Sequence, residues 1–379
     1  MDWLTGSKQG EIKKLVLQLA DVSKRDSAAP VLIKMSADSV PALIEALQTQ
    51  DLSLLPVYQH ILAQIPSSTP ILIKTLSNAH PIIRARVADV LGMARDKTAI
   101  PALLEALKGE YFTVRAHAAL ALAAMGNAIV IPLLLPLLKD REDEVRMAAC
   151  AALAKFRDPS TFDEITNILL DDPKIDVRRA AARALGDTKH PAALPFLLEA
   201  LRDSTWWYEK EESSRDLLTA IGKMGSAAVD PLIQALGDKE GTVRKFAANL
   251  LGELGDERAM DELGMTLYDL HHEVSLAAAL ALAKFGPPAL DILSEGLLHP
   301  ETAVREHAII GLGRIKDQRV IPFLIEMLHD PERMVQKQAV QSLGEMRDPR
   351  TIPALEEIAA NRADREMSML AKQVLEKIR

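Results

Sequence analysis

A single cysteine in 379 residues, Cys150, leaves no intramolecular disulfide and no thiolate metal cluster. It falls on a stretch that reads as a buried helix face, where a free thiol behaves as a small apolar residue. Aromatic residues are scarce as well, at 4% of the chain. Strand formers are few while Ala and Leu dominate, a composition suited to closely packed helices and not to sheets. No apolar run reaches the length of a membrane span, and Met1 to Gly10 holds no apolar core of the kind a secretory signal carries. A cytoplasmic location is the expectation. Glycines are scattered, and no Walker loop, dinucleotide fingerprint, nucleophile elbow or zinc-protease motif occurs. The formal charge of −8 also supplies no general excess of cations for a polyanion, although a local basic groove can hide within an acidic total.

Repetition is what the chain has in abundance. The stretch Val145-Arg146 through Ala154 returns as Val114-Arg115 through Ala123, Val177-Arg178 through Gly186, Val243-Arg244 through Gly252 and Val304-Arg305 through Gly313. Taking that Arg as a ruler gives marks at Arg84, Arg115, Arg146, Arg178, Ser214, Arg244, Ser275, Arg305 and Gln336, with spacings of 30 to 32 residues and one outlier of 36. A fixed period of this size signals a repeat array in which each unit packs on its neighbours and the core grows along one axis. The expectation is an all-α, right-handed α-solenoid of about 11 to 12 helix pairs forming one domain. Residues 1–39 form an N-terminal cap, with Ile12, Leu15, Val16 and Leu19 on one stripe and Val31, Leu32 and Met35 on another; 40–352 hold the regular repeats, and 353–379 the C-terminal capping repeat.

Each pair opens with a short helix carrying Pro near its first turn, at Pro41, Pro70, Pro101, Pro132, Pro195, Pro231, Pro322 and Pro353, with Glu164, Asp261 and Asp291 at the equivalent places. Proline suits a helix start because its missing N–H would have had no partner there, and acidic residues suit it through the helix dipole. A polar turn leads to the second helix, where Thr113, Asp176 and Thr242 are placed to cap free amides. Gly92, Gly186, Gly252, Gly313 and Gly344 mark close backbone approach or a chain turn. Positions three, four and seven after the ruler Arg are uniformly Ala, Val, Leu or similar and belong to the core. Positions one, two and five are left to face a groove. In isolation the recurring Arg looks like a phosphate ladder, but acidic residues surround each copy, at Glu142, Asp143 and Glu144, at Asp171, Asp172 and Asp176, or at Glu301. The favoured reading is a structural ion pair between adjacent repeats.

The motif x-x-P-x-L-x-x-x-L followed by D-x-x-x-x-V-R-x-x-A-A-x-A-L-G, met at Asp172 to Gly186 and closely at Asp140 to Ala154, resembles the HEAT repeat, in particular the short variety named after the phycobilisome lyases. The resemblance covers nearly the whole chain. It implies a superhelix with first helices outside and second helices lining a concave groove. It says little of activity, since the family includes chromophore lyases, hydroxylases, DNA-repair proteins and adaptors. The di-iron hydroxylases of the family hold metal with four His-Glu dipeptides in two symmetric sets. Here His272-Glu273 occurs once, beside a reversed Glu306-His307, so no metal and no cofactor is expected by that scheme.

For function the sequence points to a non-enzymatic scaffold that binds a protein or peptide along its groove. The groove set includes Arg86, Asp89, His117, Leu120, Met147, Ala148, Ala151, Arg179, Arg183, Lys245, Phe246, Asn249, Leu276, Ala277, Leu280, Glu306, His307 and Ile310. Several of these are small or apolar where a solvated face would carry charge; either a partner docks there or tight packing of the repeats hides them. His117, Arg183, Phe246 and Leu276 are the contacts singled out. The 36-residue interval adds an enlarged turn at 203–214 with Trp206, Trp207, Tyr208, Glu209, Glu211 and Glu212, a combination typical of interface anchors. The alternative is that one tryptophan fills a gap between repeats while the other points out. Two other functions stand beside the scaffold: a bilin lyase subunit or related chromophore handler, implied by the family resemblance alone, and a nucleic-acid binder, for which no phosphate track is evident.

Overall fold

The computed structural model describes residues 2–203, 206 and 211–378, with side chains outside the description at 2–7 and 211–213. All the regular structure among them is helical. The chain divides into two compact units, Met1–Thr188 and Lys189–Arg379.

The first unit runs α1 (Asp2–Gln18), α2 (Val22–Lys34), α3 (Val40–Ala46), α4 (Leu55–Ala63), α5 (Thr69–Asn78), α6 (Pro81–Ala94), α7 (Ile100–Ala106), α8 (Phe112–Ala124), α9 (Ile131–Leu134), α10 (Asp143–Ala154), α11 (Phe162–Asp171) and α12 (Ile175–Thr188). The second runs α13 (Leu194–Ala200), α14 (Glu211–Gly222), α15 (Val229–Ala235), α16 (Gly241–Leu254), α17 (Met260–Thr266), α18 (His272–Phe285), α19 (Leu290–Gly296), α20 (Thr302–Ile315), α21 (Ile321–Glu326), α22 (Arg333–Met346), α23 (Ile352–Ala360) and α24 (Arg365–Ile378). Within each unit these form consecutive helix pairs, and each second helix packs on the second helix of the next pair, α6 on α8 and α16 on α18 most extensively. This is the α-solenoid arrangement that the 31-residue ruler predicts.

Local chemistry explains the short first helices. Each is entered through a single 3₁₀ turn, and in seven of them a side chain caps that turn: Asp96, Asn127, Asp158, His190, Asp256, Asp317 and Asp348 each accept the N–H two residues on. Proline then occupies the first turn of α3, α5, α7, α9, α13, α21 and α23, where no donor is needed. The Asp five residues ahead of Pro101, Pro322 and Pro353 is a visible signal for this turn that the proline reading passes over.

The second helices bury the residues the ruler assigns to the core. Positions three, four and seven after the marks are buried, from Val87, Ala88 and Leu91 through Ala118, Ala119 and Leu122 to Ala339, Val340 and Leu343, with the half-buried Leu218 after Ser214 as the exception. Gly92 and Gly252 let backbones touch: a Cβ on either would stand 2.7 Å from the Cα of Ala121 or Ala281 in the next second helix. The turns after the second helices fall elsewhere, at left-handed residues such as Arg95, Lys316 and Arg347 or at Gly126, Gly255 and Gly286.

Two expectations are corrected. Thr113 and Thr242 lie inside their helices and cap nothing, because α8 and α16 begin at Phe112 and Gly241 with no side-chain cap at Tyr111 or Glu240. Instead Asp140, Asp172, Asp238, Asp269 and Asp330, in the preceding turns, each accept the backbone N–H two residues on. In the N-terminal cap Ile12, Val16, Leu19 and Leu32 are buried as expected, whereas Val31 is exposed because it sits on the outward side of α2.

Candidate functional site

Four of the recurring arginines form clamps between repeats, while Arg84 donates Nε to the Leu76 carbonyl at 2.6 Å. Arg115 donates Nε to Asp140 Oδ2 and Nη2 to Oδ1, both at 2.8 Å, and Nη1 to the carbonyls of Gly109 and Glu110 at 2.9 and 2.8 Å. Arg146 grips Asp172 at 2.7 and 3.1 Å, Arg244 grips Asp269 at 2.6 and 3.0 Å, and Arg305 grips Asp330 at 2.8 and 3.0 Å, each also capping two carbonyls of the turn just before its own helix. The aspartate sits in the next repeat and simultaneously caps the start of that repeat's second helix. Burial disfavours the charge of Asp140, yet the Arg115 guanidinium and the Glu142 amide outweigh it and hold the carboxyl below its ordinary value. The Asp172, Asp269 and Asp330 carboxylates in turn raise the pKa of Arg146, Arg244 and Arg305. These four guanidiniums are therefore committed to the fold, and the ion-pair reading of the ladder holds.

The groove positions divide between packing and surface. Ala148, Ala277 and His307 are buried by the neighbouring helices, which removes them from any contact surface. His117, Leu120, Met147, Phe246, Leu276, Leu280 and Ile310 are half-buried, and Arg183 is exposed.

In the first unit a polar row runs beside the half-buried Leu120 and Met147. His117 Nδ1 lies 2.7 Å from Asp89 Oδ1, and Gln59 Nε2 donates to Asp89 Oδ2 at 3.1 Å, so one row crosses α4, α6 and α8. The hydrogen bond to Asp89 raises the pKa of His117 against the opposing effects of burial and Arg86. In the second unit the row is apolar. Phe246, Leu276, Leu280 and Ile310 occupy positions two, one, five and five of α16, α18 and α20, with the Lys245 ammonium 5.3 Å from the Phe246 ring centroid. A cleft of about 380 Å³ opens beside this row at the starts of α16 and α18; Leu270, 97% exposed, stands at its lip, and its Lys245 is tied to Glu273 at 2.5 Å.

The enlarged turn requires a correction. Trp206 is fully buried, so its ring serves packing and is withdrawn from the contact surface. Trp207, Tyr208 and Glu209 lie outside the described residues, as do the side chains of Glu211 and Glu212. Cys150 is buried in α10, and burial pushes its thiol up to about 12, which matches the inert reading. His307, 7% exposed, is the residue whose role the sequence concealed: burial pushes its pKa down to about 4, and Nδ1 lies 2.9 Å from Ser275 Oγ. Among the described residues no group of His, Cys, Asp or Glu is arranged to hold a metal ion, and no helix is long and apolar enough to cross a membrane.

Comparison with known proteins fits this geometry. A bilin biosynthesis protein, PecE of Mastigocladus laminosus, is 29% identical over 153 residues, which amount to 39% of this chain; the match spans 55% of that relative's length. Among solved structures, the karyopherin Kap121p bound to the extreme C-terminus of the protein phosphatase Cdc14p superposes with a TM-score of 0.57 at 14% identity, covering 97% of this chain and 50% of that one. Kap95p, from a structure with RanGDP, gives the same TM-score at 12% identity over 94% of this chain and 58% of its own. These likenesses establish the fold. A family profile described as HEAT repeats matches residues 69–150, 131–217, 214–283, 229–303 and 287–376, so the chain belongs to the HEAT-repeat family.

Proposed function

We propose that this chain is a non-enzymatic interaction scaffold that takes a protein segment against the second helices α16, α18 and α20. The observation that carries the reading is the apolar row Phe246, Leu276, Leu280 and Ile310, which the neighbouring helices leave half-covered while filling every core position around it. Charges flank the row as the Lys245–Glu273 and Lys284–Glu253 pairs, the layout of an apolar strip with a polar rim. An amphipathic helix or extended peptide with apolar residues at matching spacing fits such a strip. The Kap121p structure, which holds the C-terminus of another protein, is a precedent for peptide capture by this fold.

The test is quantitative co-purification with the full chain, comparing wild type with Leu276→Asp/Leu280→Asp and with Trp207→Ala/Tyr208→Ala. Loss of a partner only in the first variant supports docking on the row, and loss only in the second moves the contact to the enlarged turn. Retention of every partner by both variants overturns the reading. The relationship to PecE favours a second reading, a bilin lyase subunit or chromophore handler. Mixing purified protein with a bilin tests it: an unchanged absorption spectrum, with and without a phycobiliprotein acceptor, counts against it.

A further inference from the structure

The turns that lead into the second helices of the second unit stand side by side along one edge. Arg244, in the first turn of α16, grips Asp269 in the turn before α18, and a Cβ on Gly241 would stand 3.4 Å from the His271 ring. Tyr268, also before α18, stacks at 5.0 Å on His299 in the turn before α20, and Arg305 of α20 reaches Asp330 in the turn before α22. Two leucines of these turns are left in water: Leu270 is 97% exposed and Leu298 is 82% exposed. The stacked Tyr268 and His299 rings tie the two leucine-bearing turns together, and the exposed Met334 extends the strip at the start of α22. The cleft of about 380 Å³ beside Leu270 opens onto the same edge.

The free charge on this edge is mainly negative. Glu240, Glu301 and Glu332 are exposed at the N-cap positions of α16, α20 and α22, and none of them caps its helix through its side chain. Among the described residues none of the three makes an ion pair. Of the cations nearby, Lys245 is held by Glu273, Arg333 is shared by Asp364 and Glu366, and Lys239 is left. The helix dipole favours a carboxylate at each N-terminus, which accounts for the glutamates one at a time. It gives no reason for the neighbouring leucines to stand in water. Exposed leucines grouped beside unpaired carboxylates mark a surface that an apolar, positively charged partner would cover.

We propose that this edge docks a basic amphipathic helix of a partner protein, with Leu270 and Leu298 against its apolar face and Glu240, Glu301 and Glu332 facing its lysines or arginines. Packed helices stand about 10 Å apart and a helix rises about 1.5 Å per residue, so a helix lying along the edge meets a new turn every ~7 residues. The four turns then engage about 20 residues of the partner, with Leu and Lys or Arg returning at heptad spacing. Burial of the leucines supplies affinity, and the carboxylates supply salt-sensitive steering and orientation. This surface is distinct from the row Phe246, Leu276, Leu280 and Ile310, and the inference does not depend on that row being occupied.

A labelled synthetic Leu/Lys helix of that spacing, titrated with the full chain and followed by fluorescence anisotropy, tests it. The controls are the same peptide with Glu in place of every Lys and a shuffled peptide of the same composition. The wild-type chain is expected to bind the Lys peptide more tightly than either control, and more weakly as salt is raised. Leu270→Ser/Leu298→Ser is expected to weaken binding about a hundredfold, and Glu240→Gln/Glu301→Gln/Glu332→Gln about tenfold with most of the salt dependence gone. All five side chains are exposed, so neither variant threatens the fold, and circular dichroism checks that. Leu276→Asp/Leu280→Asp is expected to keep the affinity, which separates this edge from the docking row. No binding of the Lys peptide by the wild-type chain, equal binding by the edge variants, equal binding of the shuffled peptide, or a loss in Leu276→Asp/Leu280→Asp alone overturns the proposal.

Discussion

Removing one half of a buried clamp gives a direct measure of how strongly neighbouring repeats are tied. In the Arg146–Asp172 pair the side chains are 11% and 3% exposed, and Asp172 also accepts the Lys174 N–H at 2.9 Å. Asp172→Ala leaves a largely buried guanidinium with only its two carbonyl partners and strips the start of α12 of its capping acceptor. Loss of one partner of a buried pair costs about 3–5 kcal/mol. Replacing both, as Arg146→Met with Asp172→Leu, leaves no orphaned charge and is expected to cost far less. The buried thiol of Cys150, one turn along α10 from Arg146, is a built-in reporter of that interface. Labelling by a thiol reagent under native conditions is expected to accelerate on the order of a hundredfold or more in Asp172→Ala, at ~1.4 kcal/mol per factor of ten. The double variant stays near the wild-type rate, and urea unfolding followed by circular dichroism supplies the global value. The exposed Arg258–Asp230 pair is the control, and Asp230→Ala is expected to leave both readouts unchanged. If Asp172→Ala behaves like that control, the clamp is not what ties the repeats together.

Gly252→Ala is expected to destabilise the chain by about 1–3 kcal/mol in thermal or urea unfolding, because the new Cβ meets the backbone of Ala281; Gly10→Ala, with nothing near its Cβ, is expected to stabilise α1 slightly. Trp206→Ala is expected to cost about 3–5 kcal/mol through the cavity it leaves, whatever its effect on partners. Asp140, Asp238 and Asp269 are held below the ordinary carboxylate value, with burial outweighed by arginine and amide hydrogen bonds, so their contribution is intact above about pH 4 and lost as pH falls through their depressed values. An acid titration followed by circular dichroism is therefore expected to show global unfolding below pH 4.

The architecture was legible because a repeat array writes its packing many times over. Ala at position three and Leu at position seven return in helix after helix, and each copy constrains the reading of the others. The clamp was half legible. The sequence places acidic residues around each Arg, but Glu142, Asp143, Glu144 and Glu301 are near in the chain and not the partners. The partners are Asp140 for Arg115, Asp172 for Arg146 and Asp330 for Arg305, one repeat further on. Only a turn aspartate can cap the next helix and receive a forked guanidinium at once, and that double role becomes visible only when two repeats are stacked. The direction of Trp206 was not legible, since a tryptophan in a long turn has the same sequence context whether it fills a gap or faces solvent. His307 was hidden for a related reason: position two of the second helix is half-open at His117 and Phe246 but closed at Ala148, Ala277 and His307, and nothing in the local sequence separates the two cases.

The clamps also bear on where binding information can reside. A position that must satisfy the same neighbour in every repeat is held to one solution, so residues that only pack or only clamp carry no discrimination between partners. What differs from repeat to repeat is left to positions one, two and five of the second helices, which the neighbours half-cover without dictating their chemistry. In the first unit those positions hold Asp89 and His117, hydrogen-bonded to each other and with Gln59 on Asp89, beside the half-buried Leu120 and Met147; in the second they include Phe246, Leu276, Leu280 and Ile310. A polar row whose donors and acceptors already satisfy one another gains little from a partner that merely exchanges its hydrogen bonds, whereas a half-covered apolar row gains from every further Å² removed from water. On the proposed reading, therefore, Leu276→Asp with Leu280→Asp is expected to weaken a partner's binding far more than exchanging Asp89 for Asn in the satisfied polar row.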